Sequence, residues 1–356
     1  MRIAHIAPFD PFSTLGGQER MVSDLVGWQM RNGHKTQIFS LSPEQSKKWT
    51  KFGHLPAIEL LKRKLPDFSD FDIVHAHGWA FEPVFAAKPK APVLATVYGT
   101  IAQYMQNVNL PAWRKAYLSL TQLRYEKNAC KNATALASLC AKQNAEMQKH
   151  YGCGRAKPIN CGIDTGFFTK KDKAKSRRRL GLEANSRIAL ACGRMSVAHK
   201  GFDILLKLAE SMPQGSILVV NGTVPESLKS KMKPNMVART TKWEEMPYLY
   251  SAADVFVHPS RYEGFGLATC EAMACGTPAV AFDTGAAGEL LWKEEGGMLV
   301  SDTGNSDGFV RAALKLLSDK ELCAKKGRVA SKKASRYTVD AMGKEYFEYY
   351  QEIVGK

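Results

Sequence analysis

Short apolar runs alternate along this chain with longer stretches whose apolar residues recur every three or four positions. Arg2-Ile-Ala-His-Ile-Ala opens with such a run, and Met21, Leu25 and Trp28 follow at helical spacing after a loop containing Gly16 and Gly17. Ile38-Phe39, Ile73-Val74 and residues 93–97 read as further buried strands. The second half repeats the theme: 188–192 reads as a strand, 201–210 as a helix, 217–220 as a strand ending at Asn221-Gly222, and 255–257 as another strand. Strands alternating with helices imply parallel sheets joined by crossover helices, an α/β protein.

Length turns one sheet into two. At 356 residues the chain exceeds one ordinary domain, and with 45% hydrophobic residues it can fill two cores. The expected domains are 1–165 and 166–340. The boundary falls where Lys170, Lys171, Lys173, Lys175, Arg177, Arg178 and Arg179 crowd residues 165–179, a stretch that reads as a solvated linker. Ligands of parallel α/β domains sit at the carboxyl ends of the strands, so the expected site is a cleft between the halves.

The densest chemistry lies between His258 and Pro278. His258, Pro259 and Ser260 break the apolar run 254–257 into a loop, Gly264 and Gly266 allow a sharp turn, and a helix-compatible segment begins at Leu267. Gly276 can cap that helix and Pro278 forbids its continuation. A helix opening beyond a glycine turn aims unpaired amides and the positive end of its dipole at the loop, where a phosphate binds. Glu263 precedes the helix and Glu271 stands about one turn inside it, so at ~1.5 Å of rise per residue they reach different parts of one elongated ligand. On spacing alone both read first as solvated carboxylates near a helix start.

With their neighbours, Glu263-Gly-Phe-Gly and Glu271-Ala-Met-Ala-Cys-Gly-Thr-Pro resemble the E-x(7)-E segment of the retaining glycosyltransferases of family 4, also called group 1. Further positions agree in order along nearly the whole chain. Gly16 and Gly17 resemble the family's amino-terminal glycine loop, residues 72–77 its second-strand motif, and residues 160–164 its interdomain Asn-Gly-Ile-Asp. Gly193-Arg194 and Lys200-Gly201 resemble its phosphate-binding pairs. The resemblance implies the GT-B fold, two Rossmann-like domains facing across a cleft, with a terminal helix at about 341–356 crossing back onto the first. It also implies a retaining, metal-independent hexosyltransferase. Arg194 and Lys200 would hold the donor diphosphate, Glu263 the donor sugar and Glu271 the ribose. Phe265, Gly266 and Leu267 would offer backbone amides, while Gly16 and Gly17 admit phosphate or acceptor. Two positions depart from the pattern. Tyr98 stands where the family commonly has a His facing the donor sugar, so that role is not carried over, and Cys161 interrupts the Asn-Gly pair.

The resemblance implies no cofactor, since the nucleotide-sugar, UDP- or GDP-linked, is a substrate. The expected reaction moves a hexose to a lipid-linked or polysaccharide acceptor in cell-surface glycan synthesis. Two alternatives stand beside it: a catalytically degenerate nucleotide-sugar-binding protein, and a GT-B-type epimerase. No metal site is expected. Asp70-Phe71-Asp72 precedes a strand and reads as a polar turn, and the eight cysteines contain no Cys-x-x-Cys pair. Such thiols suit a reducing cytoplasm. His75 and His77 alternate on one strand and are read as facing opposite sides, with His77, nearer the strand end, joining Tyr98 as a candidate acceptor or sugar contact.

Charge bears on the partner. Lys plus Arg number 50 against 34 Asp plus Glu, a net +16 that favours an anionic surface. In 111–131, Trp113, Tyr117 and Leu120 lie at helical spacing beside Arg114, Lys115, Arg124 and Lys127. Such a helix either lies on an anionic bilayer or packs on the sheet as an ordinary amphipathic element. No apolar run approaches the ~20 residues that span a bilayer, and the amino terminus lacks a signal-peptide layout. The expected location is cytoplasmic, peripheral at the inner membrane face. No nucleic-acid recognition motif is present.

Overall fold

The computed structural model describes residues 1–12, 16–40, 58–59, 68–291 and 295–355. The chain divides into two compact units. One comprises Met1–Met105, Pro111–Gly162 and Val339–Lys356, the other Gln106–Leu110 and Ile163–Thr338.

The first unit is built on a seven-stranded sheet of β1 (Arg2–Ala7), β2 (Lys35–Ser40), β3 (Ile58–Glu59), β4 (Ile73–His77), β5 (Val93–Val97), β6 (Ala135–Ser138) and β7 (Lys157–Pro158). Its order is β3-β2-β1-β4-β5-β6-β7, with every pairing parallel. The second unit carries β8 (Arg187–Cys192), β9 (Ser216–Asn221), β10 (Met236–Arg239), β11 (Val255–His258), β12 (Ala279–Phe282) and β13 (Gly297–Val300) in the order β10-β9-β8-β11-β12-β13, again all parallel. Parallel sheets need cover on both faces, which is why β4 and β5 are buried at every position. One core gathers Ile6, Val74, Ala95 and Leu136 around Phe81 and Val84; the other gathers Leu218, Val255, Val280 and Phe282 around Phe202, Leu205 and Phe309.

Two sequence expectations need correction. A strand repeats every two residues, so His75 and His77 share a face. Their ring centroids lie 4.0 Å apart, and the parallel register sets His5 of β1 beside His75. Residues 165–179 are also no free linker. The helix Lys173–Arg179 includes Arg177, which is 5% exposed and donates to the carbonyl oxygens of Ala184, Ser186 and Ala252 and to Asp254 Oδ2 at 2.8 Å. A guanidinium with that many acceptors can be buried because its donors are satisfied.

The last helix, Val339–Val354, belongs to the first unit. It covers the histidine face of the sheet: the Tyr350 hydroxyl lies 2.6 Å from His75 Nδ1, and the Tyr346 hydroxyl 3.3 Å from Thr96 Oγ1.

Candidate active site

In both sheets the strand order reverses once, between β1 and β4 in the first and between β8 and β11 in the second. Loops leaving the carboxyl ends of those neighbouring strands diverge, and a doubly wound sheet binds ligands in the crevice this opens. In the second unit the two loops are residues 193–201, after β8, and 259–266, after β11. Five of the residues singled out for donor binding, Arg194, Lys200, Glu263, Phe265 and Gly266, sit on them.

Backbone contacts hold these loops together. Gly201 has φ +64°, and a Cβ there would lie 2.3 Å from the Pro259 carbonyl oxygen; Gly222, at φ +117°, would place one 2.4 Å from the Gly193 oxygen. Only glycine satisfies both the left-handed backbone and the close approach. The outcome is that Lys200 Nζ lies 2.5 Å from Glu263 Oε1 although 63 residues separate them. His258, the last residue of β11, reaches the same oxygen with Nε2 at 3.0 Å, while its Nδ1 is 2.7 Å from Thr269 Oγ1. A donating Nε2–H makes Nδ1 the acceptor of the Thr269 hydroxyl, which fixes the ring. His199 adds Nε2 at 2.7 Å from the Tyr262 carbonyl, pinning the two loops again. Burial by itself would raise the Glu263 carboxyl, but the Lys200 ammonium, then His258 and His199, outweigh it and hold Glu263 well below the usual carboxylate range. Glu263 is thus an anion, able to accept hydrogen bonds or face developing positive charge.

Gly266, at φ +98°, caps the helix Leu267–Ala274. Phe265 turns its ring inward against Tyr337, 5.7 Å between centroids. Glu271 is almost wholly buried within that helix and accepts from the Tyr250 hydroxyl at 2.7 Å. Arg194 is exposed and carries no ion pair among the described residues. A separate cavity of about 790 Å³ opens at the amino ends of β8, β11 and β12, lined by Lys170, Lys173, Arg187 and Lys320. None of the Lys200–Glu263 cluster lines it.

In the first unit, Gly16 caps the helix Gly17–Arg31 at the end of the loop after β1. His77 is wholly buried with both ring nitrogens engaged, Nδ1 2.8 Å from the Tyr98 hydroxyl and Nε2 2.8 Å from His5 Nδ1. Its ring is thus enclosed by these partners, whereas the sequence made it a candidate acceptor or sugar contact; Tyr98 is half-buried, with its hydroxyl turned inward, 2.9 Å from Met21 Sδ. Proton directions follow from the acceptors. Gln29 Oε1 only accepts, so His5 Nε2 donates to it at 2.9 Å; His5 Nδ1 then accepts from His77 Nε2–H, and His77 Nδ1 accepts the Tyr98 proton. His75 completes the set between the Tyr350 and Thr96 hydroxyls. The ligand atoms of His5, His75 and His77 all lie within 4.8 Å of one another, a spacing that could hold a metal ion, but all six ring nitrogens are already engaged as hydrogen-bond partners.

Sequence reasoning did not find His258, His199 or Thr269 as parts of the site. A histidine closing an apolar run next to a carboxylate was the available signal for His258. That His75 and His77 share a face follows from the two-residue strand repeat and was legible in the sequence; that His5 joins them depends on the register between β1 and β4, which local pattern does not give.

Two family matches cover most of the chain: residues 15–167 match Glycosyltransferase Family 4 and residues 186–319 match Glycosyl transferases group 1. The chain is 28% identical over 309 residues to a D-inositol 3-phosphate glycosyltransferase of Thermobispora bispora, covering 80% of this chain and 71% of that one. The chain spans about half the length of several further relatives of the same description. Among solved structures it resembles sucrose-phosphate synthase from Thermosynechococcus elongatus, with a TM-score of 0.84, 22% identity and 99% of both chains covered. It also resembles HepE of Anabaena in complex with UDP and glucose, with a TM-score of 0.80, 20% identity, and 99% and 100% of the two chains covered. At these identities the structural likeness speaks for the fold alone, and the fold is GT-B, built of two Rossmann-like units. The chain belongs to the group 1, family 4 glycosyltransferases.

Proposed function

We propose that this glycosyltransferase moves a hexose, with retention, from a UDP- or GDP-linked donor to a lipid-linked or polysaccharide acceptor, without a metal. The observation that carries the reading is the Lys200–Glu263–His258 cluster at the strand reversal of the second sheet. Breaking the bond between sugar C1 and phosphate oxygen puts negative charge on the leaving diphosphate and positive charge on the sugar. Arg194, Lys200 and the first amides of Leu267–Ala274 supply the positive field for the diphosphate, as a metal would elsewhere. Glu263, an anion with no proton to give, accepts from sugar hydroxyls and stabilises the oxocarbenium-like carbon. The acceptor hydroxyl forms the new bond to C1 while its proton passes to the departing phosphate oxygen, so no protein acid is required. That balance favours attack on the face the phosphate leaves.

The test is saturation-transfer NMR and product analysis with a panel of UDP-, GDP- and ADP-sugars, with and without chelator. One donor is expected to bind and hydrolyse slowly in chelator. Glu263→Ala should lower turnover about 10²–10³-fold with little change in donor affinity, the scale of losing one electrostatic group at a reacting centre. Arg194→Ala and Lys200→Ala should weaken both. Absence of binding to any donor would overturn the proposal.

A further inference from the structure

We propose that the helix Ala112–Leu120 is a lipid-docking element that seats Trp113, Tyr117 and Leu120 in the interface of an anionic bilayer. Three of the chain's exposed large apolar side chains lie on this one helix, Trp113 at 71%, Tyr117 at 58% and Leu120 at 76% exposure. At ~100° per residue they fall within a wedge of roughly 60°, and Leu118, the helix's one buried residue, points about 140° away from Trp113. The helix is therefore fastened by its back, through Leu118, and presents its apolar stripe outward. The reading of this segment as an amphipathic helix packed on the sheet does not hold, because the stripe is the uncovered side.

Charge identifies what covers it. Arg114 and Lys115 on this helix, and Arg124, Lys127 and Lys131 on the following helix Gln122–Asn132, are all exposed. Between Pro83 and Ala145 the sole carboxyl side chain is Glu126. Glu126 is buried, accepts from Ile101 N and the Tyr151 hydroxyl, and burial pushes it up to about 8, so near neutral pH it carries no charge. Along residues 111–132, which carry the stripe, every exposed charged side chain is thus a cation. A second copy across a twofold axis would set these cations against themselves, on a chain of net charge +16, which disfavours self-association. Aromatic and leucine side chains flanked by Arg and Lys suit the boundary between anionic headgroups and acyl chains. No described helix is long and apolar enough to cross a membrane, so docking would be from one side. The inference narrows the proposed acceptor to the lipid-linked class and in that respect rests on the proposed reaction. The surface itself belongs to a different unit from the Lys200–Glu263 cluster.

Co-sedimentation of the full chain with sucrose-loaded vesicles tests it, comparing phosphatidylglycerol-containing with pure phosphatidylcholine vesicles at low and high salt. The wild type is expected to pellet with the anionic vesicles at low salt and to be released by salt. The combined Trp113→Ser, Tyr117→Ser, Leu120→Ser variant should bind at least about tenfold more weakly. So should Arg114→Glu with Lys115→Glu and Arg124→Glu, which decides the matter alone should the first variant unfold. Brominated acyl chains should quench wild-type tryptophan fluorescence and lose that effect in Trp113→Phe. Wild-type protein left in the supernatant, an apolar variant that pellets like wild type, or a dimer in sedimentation equilibrium that this variant dissolves would each overturn the proposal. Donor hydrolysis without vesicles separates the two readings: it should be unchanged in both variants, and a wild type that pellets but hydrolyses no donor would sink the transferase proposal and leave the docking surface standing.

Discussion

His5, His75 and His77 share a dry site, and burial holds all three neutral, His5 at about 4 and the others well below the ordinary 6.5. The unfolded chain takes up protons below pH 6.5 that the folded chain refuses, so their stabilisation is full above about pH 6.5 and is lost as pH falls. His5 alone accounts for on the order of 3 kcal/mol between pH 6.5 and 4. Glu126 acts in the opposite sense. The folded protein keeps its proton up to about 8, whereas the unfolded chain has released it above about 4.5, so its contribution fades as pH rises through that window. Three histidines outweigh Glu126 below pH 6.5, and above it Glu126 leads, with the carboxyl of Glu345, raised by burial, acting in the same sense. Stability of the first unit is therefore expected to peak near pH 6.5 and to drop by on the order of 2 kcal/mol by pH 8. Urea denaturation across pH measures this, and Glu126→Gln should remove most of the alkaline drop; a stability still rising at pH 8 in the wild type would contradict the account.

Among the elements, the loops after β8, β9 and β11 work as one piece because glycines let their backbones touch. Gly201 both caps the helix Phe202–Ser211 in a left-handed conformation and faces the Pro259 carbonyl. Gly201→Ala is expected to cost about 1–3 kcal/mol in strain and to displace Lys200 from Glu263. A shift on the ångström scale at a charged contact lowers turnover by roughly 10²-fold. Gly215 is the control: it too has positive φ, +78°, but a Cβ there would meet nothing within 4 Å. Gly215→Ala should lower the melting temperature modestly and leave kcat/KM intact. Equal loss of activity in both variants would mean that strain, rather than the approach of the two loops, governs the site.

Across the whole molecule, the sixteen-residue helix Val339–Val354 covers a sheet that begins at Arg2. Tyr346 and Tyr350 are fully buried there, and burying a large aromatic contributes roughly 3–5 kcal/mol. Ending the chain at Thr338 is expected to leave His75 and Thr96 without their tyrosine partners and to make the first unit sensitive to limited proteolysis while residues 163–338 resist. Equal resistance of both units would show that the helix is dispensable. The sequence alone determined the alternation of strand and helix, the two-sheet α/β class, and the ordered motifs around Arg194, Lys200, Glu263 and Glu271, because periodicity and glycine turns are local properties of the backbone. Only tertiary structure decided that His5 lies beside His75, that Arg177 is buried among carbonyls, and that Lys200 meets Glu263 across 63 residues. It also decided that Trp113, Tyr117 and Leu120 face outward. Register, burial and the covering of an apolar stripe depend on which distant segment arrives alongside, and a helical repeat is the same whether a sheet or a bilayer covers it.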